Sequence, residues 1–467
     1  MAEQSFDLIV VGSGPAGYVA AIRASQLGMR TCVIERAELG GVCLNWGCIP
    51  TKALLHVSAF VDQCRQAEAI GIVGADKVAV DLEKAVAYSR QVAGQLNQGV
   101  TALLRKNDVQ VKQGQAVLQG KGRVRVDGTD GSAEALRASH ILVATGARPR
   151  SLPGFEVDNE QIWDYRGALM PTRLPASLLV IGGGAIGMEF ACFYAALGTA
   201  ITLVESQERL LPLEDNDVSQ AMAGSFRSRG IDVCTGSRAT FVKRSADAVT
   251  VRIESDAGDS REQSFENVLV CAGVVGNIED MGLENTRAQV TDGFIRTGAS
   301  GRTAEDGLYA VGDVAGPPML AHKASFDALR CVESMAGQEP ESLMRHSIPS
   351  GIYTEPQVAS IGLTEAQARS EHDEVAVGMF PLAANGKAVA TQATAGFIKT
   401  VFDKRSGELL GAHLVGHNAT ELLPSLSVAQ QLETTEAELL THMFPHPTLA
   451  EAIGESVMAA FGRALHI

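Results

Sequence analysis

Short apolar runs that end on glycine, each followed by a longer helical pattern, set the frame of this chain. Leu8-Ile9-Val10-Val11 reads as a buried strand and Gly12-Ser13-Gly14-Pro15-Ala16-Gly17 as a turn. A helix then runs to Gly28, and a second strand, Thr31 to Ile34, ends at Glu35. In this order the pieces form a dinucleotide fingerprint: Gly12 permits the tight turn, Gly14 admits a pyrophosphate to the backbone, Gly17 lets helix pack on strand, and Glu35 can accept ribose hydroxyls. The pattern recurs as Leu178 to Ile181, Gly182-Gly183-Gly184-Ala185-Ile186-Gly187, a helix from Met188 to Leu197, and a strand Ile201 to Val204 ending at Glu205.

Two such units imply two dinucleotides, most economically a bound flavin and a diffusing nicotinamide. Glu205 repels a 2′-phosphate and favours NAD over NADP, although Arg209 follows four residues later. Two further strands, Ile141 to Val143 and Leu308 to Val311, open onto Ala144-Thr145-Gly146-Ala147 and Gly312-Asp313. Each is either an ordinary turn or a place where backbone meets cofactor, and Asp313 is either a helix cap or a flavin ligand.

Length and charge narrow the class. At 467 residues and 46% hydrophobic content the chain should split into two to four globular domains. A net charge of −15 argues against nucleic-acid and acidic-lipid surfaces and allows a basic partner. The eight cysteines are mostly scattered singly, unlike a secreted disulfide scaffold, which points to a reducing compartment. Residues 1–7 are too short and polar for a signal peptide, and no apolar run is long enough to span a bilayer, so a cytoplasmic location is expected.

Cys43 and Cys48 stand in Gly40-Gly41-Val42-Cys43-Leu44-Asn45-Trp46-Gly47-Cys48-Ile49-Pro50-Thr51-Lys52. A disulfide needs Cα atoms within about 7 Å, whereas five residues of straight helix advance about 7.5 Å. The link between them must therefore bend. Gly47 can supply the bend, and Pro50 suits the first turn of a helix starting near Ile49 or Pro50. A thiol at that helix start feels the positive end of the dipole, which favours thiolate. Two inert buried cysteines remain the plain alternative, and no metal site is expected, since no second pair or histidine cluster stands nearby.

With both loops and this pair in view, the chain resembles the pyridine-nucleotide disulfide oxidoreductases from Phe6 to its C-terminus, and among them the dihydrolipoamide-oxidising branch. The resemblance rests most specifically on Gly40 to Leu55, Met319 to Ala324, Tyr353-Thr354-Glu355-Pro356 with Val358-Ala359, and His446-Pro447-Thr448-Leu449-Ala450-Glu451. It implies an α/β fold with two Rossmann-like dinucleotide-binding domains, for FAD and NAD, plus a C-terminal α+β dimerisation domain. Residues 1–147 and 274–344 would form the FAD part, 148–273 the NAD domain, and 345–467 the interface of a homodimer.

The resemblance also implies roles. Cys43 would be the interchange thiol and Cys48 the thiol that meets the flavin. Lys52 would lie near the flavin and pair with Glu189, and His446, backed by Glu451, would act as base from the opposite subunit. The spacing from His446 to Glu451 suits a turn into a helix whose first turn holds Pro447. Cofactor contacts would fall on Gly12, Gly14, Gly17, Glu35, Gly41, Ala116, Thr145, Gly146 and Asp313, with Met319, Leu320, Ala321 and His322 along the flavin ring. On the nicotinamide side they would fall on Gly182, Gly184, Ile186, Gly187, Glu189, Glu205 and Gly273. The lipoyl group would arrive on another protein, such as a 2-oxoacid dehydrogenase core or a glycine-cleavage carrier.

Three positions depart from the family pattern: Trp46 where a small aliphatic is usual, Phe444 where a second histidine often stands, and Val274-Val275-Gly276-Asn277 without the common arginine-proline. A related NAD(P)H-dependent reductase acting on another small or protein disulfide is the alternative within the fold. Glu205-Ser206-Gln207 lacks basic residues for a 2′-phosphate, and the end Gly462-Arg463-Ala464-Leu465-His466-Ile467 has no cysteine pair. A structural subunit of a larger complex would need none of this chemistry.

Overall fold

The computed structural model describes residues 4–340 and 345–467. Its first sheet has seven strands in the order 110–113, 31–35, 4–11, 133–143, 123–127, 115–118, with 308–310 also on 133–143. The strand Gln4–Val11 pairs parallel with both Thr31–Glu35 and Ala133–Val143, and Leu308–Ala310 extends the parallel part. Val- and Ile-rich runs form these strands because both faces are covered, one by helices and the other by the strands 115–118 and 123–127 with Met281 and Ile295, leaving no solvent side to demand alternation. Leu8, Ile9 and Val10 are accordingly sealed from water.

The chain leaves this sheet through Ala147–Pro149 and returns through Val274–Gly276, two short strands that pair antiparallel. Between them stands a five-stranded parallel sheet in the order 232–234, 200–204, 177–181, 267–270, 162–163. Each Rossmann-like unit therefore carries its first strand between the second and a later crossover strand. The C-terminal unit is an antiparallel sheet in the order 350–352, 357–362, 409–416, 397–403, 375–381. Helices Ala419–Gln431 and Glu451–Ala460 supply Leu423, Leu426, Ile453 and Val457 to its core.

Several elements differ from the sequence expectation. The second glycine helix is Ala185–Ala196, beginning three residues before Met188, because the last half of the glycine loop is already helical. The cysteine helix is Cys48–Gln66, so Cys48 is its first residue and not a residue outside it. Pro447 lies outside the last helix, which starts at Glu451. The Thr448 N–H donates to Glu451 Oε2 at 2.8 Å, holding 447–450 as a turn in front of the helix. The domain boundary expected at 344/345 adjoins residues 341–344, and these, like residues 1–3, lie outside the described residues.

The second unit is fastened to the C-terminal sheet by a buried lysine. Lys399, 1% exposed on the strand Phe397–Asp403, reaches Asp215, Asp217 and Glu365 at 2.8, 2.6 and 2.7 Å. Asp215 caps the helix Asn216–Ser228 and also accepts the Glu365 N–H, so one carboxylate serves two helix starts in different units. Burial acts to raise Asp215 and Glu365, but hydrogen bonds led by that from Lys399 outweigh it and hold both below the usual carboxylate range.

Removing the ammonium leaves three carboxylates facing one another, so Lys399→Met should cost about 3–5 kcal/mol in denaturant unfolding. Because Asp215 and Glu365 are depressed in the folded state, their contribution is full above about pH 4 and is lost as pH falls through their lowered values. Acid unfolding curves should show that limb in the parent and a flatter one in Lys399→Met. Equal acid limbs would contradict the assignment.

Candidate active site

Gly40, at φ 90°, turns the chain into the short helix Gly41–Trp46, and Gly47, at φ −140° and ψ −112°, breaks it before the helix Cys48–Gln66. Asn45 secures the first helix by donating to the carbonyls of Leu39 and Gly41. The break brings the Sγ atoms of Cys43 and Cys48 to 2.7 Å. The hydrogen bond from Cys43 holds the Cys48 thiol below its usual value, and the charge of Lys52 adds to this against the opposing effect of burial. Cys43 is pushed well up, first by that bond and then by burial. The two sulfurs are therefore unequal, with the thiolate favoured on Cys48.

Lys52 lies one turn beyond Cys48 on the same helix face. Its Nζ meets both oxygens of Glu189 at 2.9 Å and sits 4.5 Å from the centre of the Tyr353 ring. Glu189, 5% exposed on the helix Ala185–Ala196, also accepts the Tyr353 N–H at 3.0 Å. A glutamate that sequence pattern alone places on a helix surface is thus buried, and it is paired as burial requires.

The two glycine loops share one construction. A Cβ on Gly17 would lie 2.0 Å from the Gly12 carbonyl oxygen, and one on Gly187 equally close to Gly182. Glu35 accepts the Ser13 N–H at 2.9 Å and the Ala37 N–H at 2.9 Å; Glu205 accepts those of Gly183 and Gln207 at 2.6 and 2.8 Å. Neither following helix has a side-chain cap or an acidic residue in its first turn, so both present N–H groups to a phosphate. Gly41 packs against Gly14 closely enough that a Cβ would fall 2.7 Å from its Cα.

The turn at 144–147 adjoins the first loop, since a Cβ on Gly12 would meet the Ala144 carbonyl oxygen. Thr145 Oγ1 donates to the Asn277 carbonyl at 2.7 Å, and Asn277 Nδ2 returns a bond to Thr145 at 2.8 Å. Gly146, Gly184 and Gly273 have nothing within 4 Å of an added Cβ. Burial raises the Asp313 carboxyl, which makes no side-chain hydrogen bond among the described residues. Uncapped helix starts and open glycines suit two dinucleotides.

His446 and Glu451 form a separate pair. His446 Nδ1 lies 2.9 Å from Glu451 Oε1, with the His446 side chain 78% exposed. The Thr448 N–H and then His446 hold Glu451 below its usual value. Ala116 is also apart, buried on the strand Gln115–Leu118. Met319 and Leu320 precede the helix Ala321–Met335, where His322 Nε2 lies 2.7 Å from the Pro349 carbonyl. Ile186 is exposed beside the second loop. Tyr353, Asn277, Ser13 and Ala37 were not among the expected site residues. Their partners lie up to 164 residues away, and no local pattern marks such contacts.

The profile described as pyridine nucleotide-disulphide oxidoreductase matches residues 6–328, and that of its dimerisation domain matches residues 348–457. A dihydrolipoyl dehydrogenase of Zymomonas mobilis subsp. mobilis is 48% identical over 462 residues, covering 99% of each chain. One of Rhizobium etli is 43% identical over 478 residues with the same coverage. Among solved structures, LpdA of Mycobacterium tuberculosis gives a TM-score of 0.89 at 28% identity, covering 97% of this chain and 99% of its own.

Lys52 adds to the inequality of the sulfurs that their own hydrogen bond sets up. Lys52→Met should raise the pKa of Cys48 and so leave less thiolate at any pH below it. Alkylation rates of Cys48 in the reduced protein, followed against pH, should move to higher pH; an unmoved profile would refute the coupling.

Proposed function

The chain belongs to the pyridine nucleotide-disulphide oxidoreductase family, and from that premise we infer that it is a flavoprotein that oxidises dihydrolipoamide to lipoamide with NAD⁺ as acceptor. The observation that carries this reading is one adjacent pair of unequal thiols, opening a helix beside two dinucleotide loops. FAD, when bound, supplies the two-electron relay between the thiol pair and the nicotinamide.

The residues divide the work as follows. His446 takes a proton from a substrate thiol at the ring nitrogen that Glu451 does not hold, and Glu451 stabilises the imidazolium. The substrate thiolate attacks Cys43, forming a mixed disulfide and breaking the Cys43–Cys48 bond, and Cys48 leaves as thiolate. The second substrate sulfur then attacks the first and breaks its bond to Cys43, its proton passing to the departing Cys43 sulfur, so that lipoamide is released and Cys43 is left as thiol. Two electrons have moved from dithiol to enzyme, and His446 returns its proton to solvent. Lys52, fixed by Glu189, stabilises the negative charge on Cys48.

Further assignments are of the same kind. FAD is held by residues within 1–147 and 274–344 and NAD within 148–273. On the flavin side the contacts are those from Gly12 through Asp313 and Met319 to His322; on the nicotinamide side they run from Gly182 to Gly187 with Glu205 and Gly273. The expected preference for NAD is supported by Arg209, whose guanidinium is tied to the Pro212 carbonyl at 2.9 Å and to Asn216. A cytoplasmic homodimer served by a lipoylated carrier protein completes the reading, the dimerisation-domain match supporting the pairing of chains. Among the described residues no helix is long and apolar enough to cross a membrane.

The test is NAD⁺ reduction by dihydrolipoamide with FAD-loaded protein. Cys43→Ser should abolish turnover, His446→Ala should lower kcat about 10²–10⁴-fold, and NADP⁺ should serve poorly. No turnover by the parent, or full turnover by Cys43→Ser, would overturn the function.

If His446 acts across the subunit boundary, mixed dimers of Cys48→Ser and His446→Ala chains should regain activity that neither parent variant has. Absence of recovery in verified heterodimers would place the base in its own subunit.

A further inference from the structure

Tyr353 lies outside both glycine loops and the cysteine segment, yet it touches the ion pair that joins them. It follows the strand Ser350–Ile352 at the start of the C-terminal unit. Its backbone N–H donates to Glu189 Oε1 at 3.0 Å, and Lys52 Nζ lies over its ring, 4.5 Å from the centre. Burial raises the Tyr353 phenol; Lys52 acts to lower it, and Glu189, Glu421 and Cys48 act to raise it further. The phenol therefore stays uncharged at neutral pH, and what the ammonium meets is the electron-rich face of a neutral ring.

We propose that Tyr353 is a positioning residue of the redox pair: its ring, together with Glu189, holds the Lys52 ammonium where its charge falls on Cys48. The catalytic use of this arrangement rests on the reading of Cys43 and Cys48 as the redox couple. Lys52 is a cation whose charge acts on both thiols, whereas the carboxylates of Glu189 at Cys48 and Asp313 at Cys43 oppose a thiolate. Tyr18 beside Cys43 is kept neutral by burial and then by that thiol. The neutral ring of Tyr353 brings no charge of its own to either sulfur, so its effect passes through Lys52.

Lys52 needs such a hold. Its side chain is 32% exposed against 7% for that of Glu189, and an ammonium on a flexible four-carbon stem can turn toward water. Glu189 restrains it through both oxygens at 2.9 Å, but the same carboxylate works against a thiolate on Cys48. An ammonium that moved away from the sulfur would leave that opposition unbalanced, because its own attraction falls with distance. The ring supplies a restraint without adding negative charge. Every replacement at this position short of proline keeps the backbone N–H to Glu189, so the side chain alone is tested. Leucine keeps much of the bulk and has no face to offer a cation; phenylalanine keeps the face and drops only the hydroxyl.

The FAD-loaded protein, parent and variants, is reduced with dithiothreitol, freed of reductant without air, and alkylated with iodoacetamide across a pH series, Cys48 being read apart from Cys43 by fragment mass. Tyr353→Leu should move the Cys48 profile to higher pH, in the direction of Lys52→Met and less far. Tyr353→Phe should match the parent. Pentafluorophenylalanine in place of Tyr353 keeps the shape, loses the negative face, and should move as leucine does. In a Lys52→Met background, Tyr353→Leu should add no further shift. An unmoved leucine or fluorinated variant, a Tyr353→Phe that moves as far as leucine, or a further shift in the double variant would overturn the proposal. Should the leucine variant not fold with FAD, the fluorinated ring decides alone. Dithiothreitol makes the outcome independent of the substrate: a parent that cannot reduce NAD⁺ with dihydrolipoamide would sink the functional reading, and unmoved profiles would sink this inference alone.

Discussion

The bidentate pair of Lys52 and Glu189 is the contact on which the rest of the arrangement depends. Lys52 comes from the cysteine helix, Glu189 from the glycine helix of the second unit, and Tyr353, which bonds Glu189 and stacks on Lys52, from the start of the C-terminal unit. Three separately built sheets therefore meet at one ion pair. A pair of this kind, with its carboxylate buried and its ammonium partly exposed, adds little net stability over a well-packed apolar substitute, because desolvation offsets much of its attraction. Its value is in register: the buried Glu189 carboxylate does not tolerate burial unpaired, so the three units can dock in few other ways. The same charge then acts on Cys48, which couples assembly of the site to the ionisation of its thiol.

The two glycine units show how much a local pattern can carry. Their strands, turns and helices follow from short apolar runs and glycine spacing, and the carboxylates closing each second strand were legible as well. What pattern did not reveal is that Glu35 and Glu205 commit hydrogen bonds to their own loops before any ribose arrives. That geometry depends on a bond across 22 residues, which makes it a property of the packed unit. The cysteine segment was legible for the opposite reason. The distance limit on a disulfide excludes a straight helix, and Gly47 is the residue that can break one. The error of one or two residues in placing the helix start matters little to the dipole argument, since Cys48 remains at the positive end.

Other features lay beyond local pattern because they join segments with no local signal. Glu189 looks like a surface residue by its own pattern, and only the family resemblance pointed to its pairing with Lys52. Lys399 sits in a mostly apolar strand, and its three carboxylates come from up to 184 residues away. Trp46 could be singled out as unusual, but Arg90 and Arg166, 4.3 and 4.5 Å from the centre of its ring, lie on helices whose meeting depends on the docking of the units. Each case pairs a residue of ordinary propensity with a distant partner, and the energetic reason for the pairing exists only after burial. Pro447 failed differently: the side chain of Glu451 takes the N–H of Thr448 and stops the helix from extending back to the proline.

The His446–Glu451 pair differs in kind from the Lys52–Glu189 pair, whose carboxylate is buried. Glu451 is divided between two duties, one oxygen fixing His446 Nδ1 and the other holding the Thr448 N–H. The ring is thus oriented by its own turn and needs no support from the cysteine segment. Its side chain stays largely in solvent, and Nε2 has no partner among the described residues of this chain. A base that must meet a substrate thiol gains from a single free nitrogen, but an exposed imidazole has no means of excluding water from the transfer. The chain therefore carries a complete orienting device without the wall that would make it effective. The match of residues 348–457 to a dimerisation domain agrees with the reading proposed above, in which a second copy brings the wall and the cysteine pair to that nitrogen.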